Sequence, residues 1–200
     1  MSILKKVLAL LVVAIGGFLA FAATRPDGYR VERSKKIDAS AEVVYAQLDN
    51  FKSWGAWSPW EKRDPGMKKT FEGPASGVGA AYSWEGNKDV GQGKMTITES
   101  KPPRGGTGET ALITIRLEFL KPFASVATSG FEVKPEGDKA ATVTWSMEGR
   151  NNLMSKAFGV FMNMDKMIGG DFETGLANLK SVAEAEAKKP PAPAQAAAAP

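Results

Sequence analysis

Residues Phe51 to Trp60 read FKSWGAWSPW and hold three of the five tryptophans of the chain, Trp54, Trp57 and Trp60. An indole buries a large apolar area and carries an N–H that needs a partner. Gly55 and Pro59 interrupt both the helical and the strand period, and Pro59 biases Ser58 towards an extended conformation. The stretch therefore reads as a short helical turn followed by a loop whose indoles fold back onto the domain. Two compatible readings stand. The indoles plug the core at one end of a sheet, or they form the rim of an apolar ligand pocket.

Before the tryptophans, Tyr29–Asp38 reads as a strand, with Val31 and Ile37 in one phase and Arg33 and Lys35 sharing it, which suits an edge. Ser40 opens a helix through Leu48, where Ala41, Val44, Tyr45 and Leu48 share one face. After the tryptophans, Met67 to Arg150 is all β. Lys69–Glu72 is a short strand. Ala80, Tyr82 and Trp84 alternate with Ala81, Ser83 and Glu85, and Met95 and Ile97 with Thr96 and Thr98. The clearest alternation follows, with Ile113, Ile115, Leu117 and Phe119 on one side and Thr114, Arg116 and Glu118 on the other. Phe131 and Val133 continue it, as do Val143, Trp145 and Met147. Such a pattern means a sheet with one wet face and one covered face. The first strand included, about seven strands form a meander.

The cover must come from Asn151–Ala187. Leu153, Ala157, Val160, Phe161, Met164 and Ile168 lie at helical spacing, and Phe172, Leu176, Leu179 and Ala183 continue it. Gly169-Gly170 between the halves is expected to kink or break this helix.

The ends differ from the body. Lys5 and Lys6 precede Val7–Ala23, seventeen residues without a charge. That length suits a short membrane span and is long for a signal segment, while Ala20-Phe21-Ala22 offers an A-x-A cleavage site. Arg25-Pro26 stops the run sharply, which favours an uncleaved anchor. In either case the basic residues stay cytoplasmic and the body lies across the membrane, secreted or periplasmic if cleaved. Residues 188–200, KKPPAPAQAAAAP, are low-complexity and expected to be disordered. The chain thus divides into a membrane or signal segment at 1–24, a domain at 25–187 and a Pro/Ala-rich tail at 188–200.

The formal charge is +4, and the four lysines of the two ends, Lys5, Lys6, Lys188 and Lys189, account for all of it. A neutral body argues against a nucleic-acid binder, which needs a basic face for phosphates. The chain has no Cys and no His. That removes Cys nucleophiles, Ser–His pairs, a His base and the usual zinc sites. Any acid–base chemistry falls to Asp, Glu, Lys or Tyr.

The order strand, short helix, tryptophan turn, meander, long helix resembles the helix-grip fold, and at residue level the chain resembles the SRPBCC group of START-like and polyketide cyclase/dehydrase-like proteins. The resemblance rests on Arg33-Ser34 with Ile37-Asp38-Ala39 and Val43-Val44-Tyr45. It rests also on Phe51–Trp60, on Gly77-Val78-Gly79 with Tyr82–Asn87, and on Gly91-Gln92-Gly93 with Met95-Thr96-Ile97. Asp171-Phe172 with Gly175–Lys180 resembles the closing helix. It covers about Tyr29 to Ala187. It implies an α+β fold, a seven-stranded antiparallel sheet packed on a long C-terminal helix. It also implies a cavity between the two for an apolar small molecule or lipid. The lining would come from Trp54, Trp57 and Trp60 of the loop and from Tyr82, Trp84, Phe119, Phe131, Trp145 and Met147 of the strands. Phe161 and Met164 would add the helix side. The other reading of the same residues is a filled core.

The group also contains enzymes. The acid–base candidates are Glu61, Glu85, Tyr82, Asp165 and Asp171, and no two of them form a recognisable spacing. Glu61, Lys62, Arg63 and Asp64 read as a solvated cluster. Glu85 lies opposite Trp84 and faces solvent or a turn, and capping accounts for Asp165 and Asp171. No catalytic residue, metal or cofactor is assigned. A binder of apolar molecules at the membrane is placed ahead of a cyclase/dehydrase-like enzyme and of an envelope structural protein without a ligand.

Overall fold

In a computed structural model of the chain, which describes residues 3–104, 108–151, 153–161 and 163–189, α1 (Ile3–Ala23) is followed by β1 (Gly28–Ile37) and α2 (Ala41–Leu48). A 3-10 helix (Phe51–Ala56) and α3 (Pro59–Arg63) come next. The meander is β2 (Lys68–Glu72), β3 (Ala81–Glu85), β4 (Gln92–Lys101), β5 (Ala111–Lys121), β6 (Ser125–Pro135) and β7 (Ala141–Arg150). Two helices close the described chain, α4 (Leu153–Phe161) and α5 (Met164–Ala187). The tail beyond 189 lies outside the described residues.

The strands form one antiparallel sheet in the order β1-β7-β6-β5-β4-β3-β2. The first strand closes against the last, so β1 and β2 are the edges. The register aligns the inward side chains into rows. One row runs Ile113, Phe131, Trp145, Arg33; the next, Ile115, Ser129, Met147, Val31; and the next, Leu117, Ala127, Gly149, Tyr29. The first is filled by two large rings. The third has two of its smallest possible members at its centre.

Ser40 caps α2 as its sequence position predicts, accepting the Val43 N–H at 3.4 Å. The covered face is closed by α2, the tryptophan turn and α5. Phe172, Leu176, Leu179 and Ala183 of α5 are all buried. Gly169-Gly170 does not break this helix, which runs through both glycines. The interruption comes earlier, at Asn163, whose side chain accepts the Lys166 N–H at 3.0 Å and starts the helix afresh. Gly169 instead admits a close neighbour. A Cβ on Gly169 would collide with the Arg33 guanidinium, whereas Gly170 meets nothing within 4 Å.

The first half of the expected cover also departs from the sequence reading. None of the residues of α4 is buried, and the helix packs on α1 rather than on the sheet. Its apolar residues share one broad side, opposite Ser155, Lys156 and Gly159, but much of that side is exposed, and spacing alone does not say which neighbour the helix meets. α1 itself is 21 residues long and apolar enough to cross a membrane, by length and composition.

Candidate functional site

The space between the middle of the sheet and α5 is built from rings. Trp54 and Trp57 stand 4.7 Å apart between ring centroids. Trp57 meets Phe131 at 6.1 Å edge to face, and Phe131 lies 4.9 Å from Trp145. Trp145 stacks on Phe172 of α5 at 4.1 Å and 7°. Trp60 meets Trp145 edge to face at 5.7 Å. Edge-to-face and offset pairs suit the quadrupole of each ring.

The indole N–H groups are answered locally. Trp54 donates to the Leu48 carbonyl at 3.0 Å, and Trp57 to that of Gln47 at 3.2 Å, which ties the turn to the end of α2. Trp145 donates to Ser129 Oγ at 3.0 Å, and that hydroxyl donates to the Ser146 carbonyl at 3.1 Å. Trp84 donates to the Val90 carbonyl at 3.0 Å. Asn178 of α5 donates to the Trp57 carbonyl at 3.0 Å and so holds the helix to the turn.

Towards the end of the sheet where α1 joins, the side chains shrink. Ala127 and Gly149 sit side by side in the row that Tyr29 completes. Tyr29 lies over Gly149; a Cβ there would stand 2.8 Å from the phenol oxygen. Burial raises the Tyr29 pKa. An open groove of about 580 Å³ lies at this end, lined by residues 28–30, 126–128 and 148–150, with no wall from α5.

The polar candidates fall into three groups. Tyr82 donates to Glu61 Oε1 at 3.1 Å, and Lys69 forms an ion pair with the other carboxylate oxygen. The Glu61 side chain is only 12% exposed, so Glu61 does not belong to the solvated cluster expected at 61–64, whereas Lys62 and Arg63 are exposed. Burial first, and then the Glu61 carboxylate, drives the Tyr82 pKa well above the ordinary phenol range. Asp64 accepts the backbone N–H of Asn87 at 2.7 Å, and Arg63 pairs with Asp171. Arg33, in the inward phase of the edge strand, reaches Asp165 at 3.0 Å and Glu173 at 2.8 Å on α5. Capping is thus not the role of either Asp165 or Asp171; both bind α5 to the body. Hydrogen bonding to Arg33 holds the Asp165 carboxyl below its usual range.

The fold brings together Trp54, Trp57, Trp60, Phe131 and Trp145 as one packed cluster. Tyr82 and Trp84 stack on each other at 6.2 Å further along the sheet, and Trp84 meets Phe119 edge to face at 6.2 Å. Met147 is buried one row from Trp145. Phe161 stands apart. It is 78% exposed and stacks on Phe18 of α1 at 5.5 Å, because α4 turns to α1 instead of the sheet. The side chain of Met164 lies outside the described residues. Glu85 is exposed at the end of its strand. Sequence reasoning missed the joining of Glu61, Lys69 and Tyr82. Its one available signal was a phenol in the inward phase of β3, which needs a polar partner when buried. Among the described residues, no group of three or more acidic side chains is placed to hold a metal ion.

The family model described as polyketide cyclase / dehydrase and lipid transport matches residues 29–184. Among solved structures, a hypothetical protein of Helicobacter pylori matches with a TM-score of 0.59 at 9% identity, over 78% of this chain and 88% of that one. Norcoclaurine synthase from Thalictrum flavum, solved with dopamine and hydroxybenzaldehyde, matches with a TM-score of 0.55 at 14% identity, over 82% and 90%. An aromatase/cyclase from a Streptomyces species matches at 0.54 and 10% identity, over 78% and 94%. At these identities the likeness is one of fold. No curated protein matches the sequence.

Proposed function

The chain belongs to the polyketide cyclase/dehydrase and lipid transport family, and from that premise we propose that its domain binds an apolar small molecule or lipid between sheet and helices, next to the membrane that α1 enters. The observation that carries this reading is the gradient of side-chain size along the covered face. The row of Phe131 and Trp145 is filled to contact with α5. Two rows on, the smallest side chains, Ala127 and Gly149, replace the rings, Tyr29 lies over Gly149, and an open groove of about 580 Å³ lies alongside. The groove has room for a small molecule, and its lining sets Tyr29, Val126 and Ala127 beside Arg30, Thr128, Glu148 and Arg150, which suits an apolar molecule with a polar head. Leu117 shares the row of Ala127, and Met147 stands one row away, where a thioether adapts to varied apolar shapes. The packed cluster then acts as the floor of the site and as the scaffold of α5. Native mass spectrometry of residues 25–189, purified under mild conditions, tests the reading. An apolar adduct removed by denaturation is expected, and a bare mass from several preparations counts against it.

A second reading is favoured by the contact of Tyr82, Glu61 and Lys69. A phenol, a carboxylate and an ammonium within hydrogen-bonding reach are a set that moves protons to and from a carbonyl compound. The family's cyclases make this chemistry the natural alternative. A poly-β-keto substrate cyclised by the wild type and not by Glu61→Gln, with binding retained, would promote it over simple binding.

A further inference from the structure

We propose that α4 and the turn between β5 and β6 form a second membrane contact, lying in the interface of the bilayer that α1 spans; the proposal rests on α1 being retained as an anchor. Outside α1, ten large apolar side chains are exposed among the described residues, and eight of them fall in just two short stretches, Leu120 to Val126 and Leu153 to Met167. Surface apolar groups scattered singly need no explanation, but a contiguous patch marks an interaction surface. These two stretches touch: the rings of Phe123 and Phe158 lie 6.4 Å apart. Neither the turn at 120–126 nor α4 contains an acidic residue. The charges present are Lys121 and Lys156, and Lys156 turns inward to pair with Asp27 and donate to the Ala23 carbonyl at 3.2 Å.

The occupant is indicated by depth. Phe161 at the end of α4 stacks on Phe18, five residues before the end of α1. At 1.5 Å per residue, that places the ring roughly 7–8 Å inside the end of the spanning helix. Interfacial helices bury their apolar face about 5–10 Å into the headgroup boundary. The joint is also fixed. Asn151 donates from its backbone to Asp27 at 2.8 Å and from its side chain to Pro26 at 3.2 Å, so α4 starts at the foot of α1. A bilayer around α1 therefore meets Phe158 and Phe123 without any movement of the domain. The groove lined by 126–128 and 148–150 opens beside this surface, which gives an apolar ligand a route from lipid to site.

The chain has no cysteine, so single labels are simple to place. Full-length variants Phe123→Cys, Phe158→Cys, Leu11→Cys and Val78→Cys would each carry a polarity-sensitive dye in proteoliposomes of phosphatidylethanolamine and phosphatidylglycerol. Nitroxide lipids and aqueous iodide serve as quenchers. The proposal expects lipid quenching at 123 and 158 to approach that at 11 and to exceed that at 78 about twofold or more, as burial in the interface requires. Iodide quenching as strong at 123 and 158 as at 78 overturns it while leaving the anchor intact. Shielding of 123 and 158 from both quenchers also overturns it, because a protein then covers the face. Absence of lipid quenching at 11 would remove the anchor and the proposal together, without touching ligand binding by the domain.

Discussion

Gly175 lies flat against Trp145. A Cβ on this glycine would stand 2.7 Å from the indole ring, and the same ring stacks on Phe172 three residues earlier. The sheet and α5 are thus in register through one side chain and one absent side chain. Gly175→Ala should cost about 1–3 kcal/mol by overpacking, less the fraction of 1 kcal/mol by which alanine favours a helix. Gly170→Ala, where nothing lies within 4 Å, should instead stabilise by up to about 1 kcal/mol. Urea unfolding of the two variants beside wild type measures both signs.

Ser129 is a buried hydroxyl that accepts from the Trp145 indole. Replacing it by alanine leaves a buried N–H without its acceptor, at a cost of about 1–3 kcal/mol. Ser129→Ala should lower the melting temperature and shift tryptophan emission. Thr128→Ala, its neighbour facing the other way, should do neither.

All three tyrosines have raised pKa values. Burial is the first cause in each, and for Tyr82 the Glu61 carboxylate adds to it. Free phenols are half ionised near pH 10, roughly. An alkaline titration followed by tyrosinate absorbance should show much less than half ionisation there. A raised acid contributes stability that is present below the unfolded-state value and lost as pH rises above it, so the absorbance should appear together with unfolding. Glu61→Gln should bring part of the titration back towards neutral pH before the fold opens.

At the other extreme, α5 is clasped to β1 by carboxylates. Hydrogen bonds from Arg33 lower the Asp165 pKa, and those from Lys180 lower Asp38 and Glu184. Depressed values in the folded state mean that this stability is whole above the ordinary carboxylate range, about pH 4–5, and drains away as pH falls through the folded values. Melting temperature should fall steadily below that window. Arg33→Gln should lower it at neutral pH and flatten the fall in acid.

The parts of the fold legible from the sequence are those set by local periodicity. Ile113 to Phe119 alternate strictly, and β5 is where that pattern puts it. Ser40 caps a helix from its position alone. The parts that were not legible depend on neighbours far along the chain. Gly169-Gly170 looks like a break until Arg33, more than a hundred residues earlier, is seen to need the room. Glu61 looks solvated until β2 and β3 carry Lys69 and Tyr82 to it. The apolar side of α4 was legible but its neighbour was not, because an apolar stripe does not say whether it meets the sheet, another helix or a surface, so only the contact with α1 shows which way it turns. Among the expected site residues, strand phase pointed Phe131 and Trp145 inward, but spacing alone does not say whether inward rings line a space or fill it.

The central claim is that the end of the sheet around Ala127 receives an apolar ligand. The most direct measurement is the response of melting temperature and tryptophan emission to a fatty acid, for residues 25–189 and for their Ala127→Phe variant. The account predicts that ligand at about 100 times its dissociation constant stabilises the wild type by roughly 2.7 kcal/mol. It predicts that Ala127→Phe folds with near-wild-type stability and loses the response. A wild type indifferent to the ligand, with Ala127→Phe destabilised by about 1–3 kcal/mol as in a filled core, would contradict it.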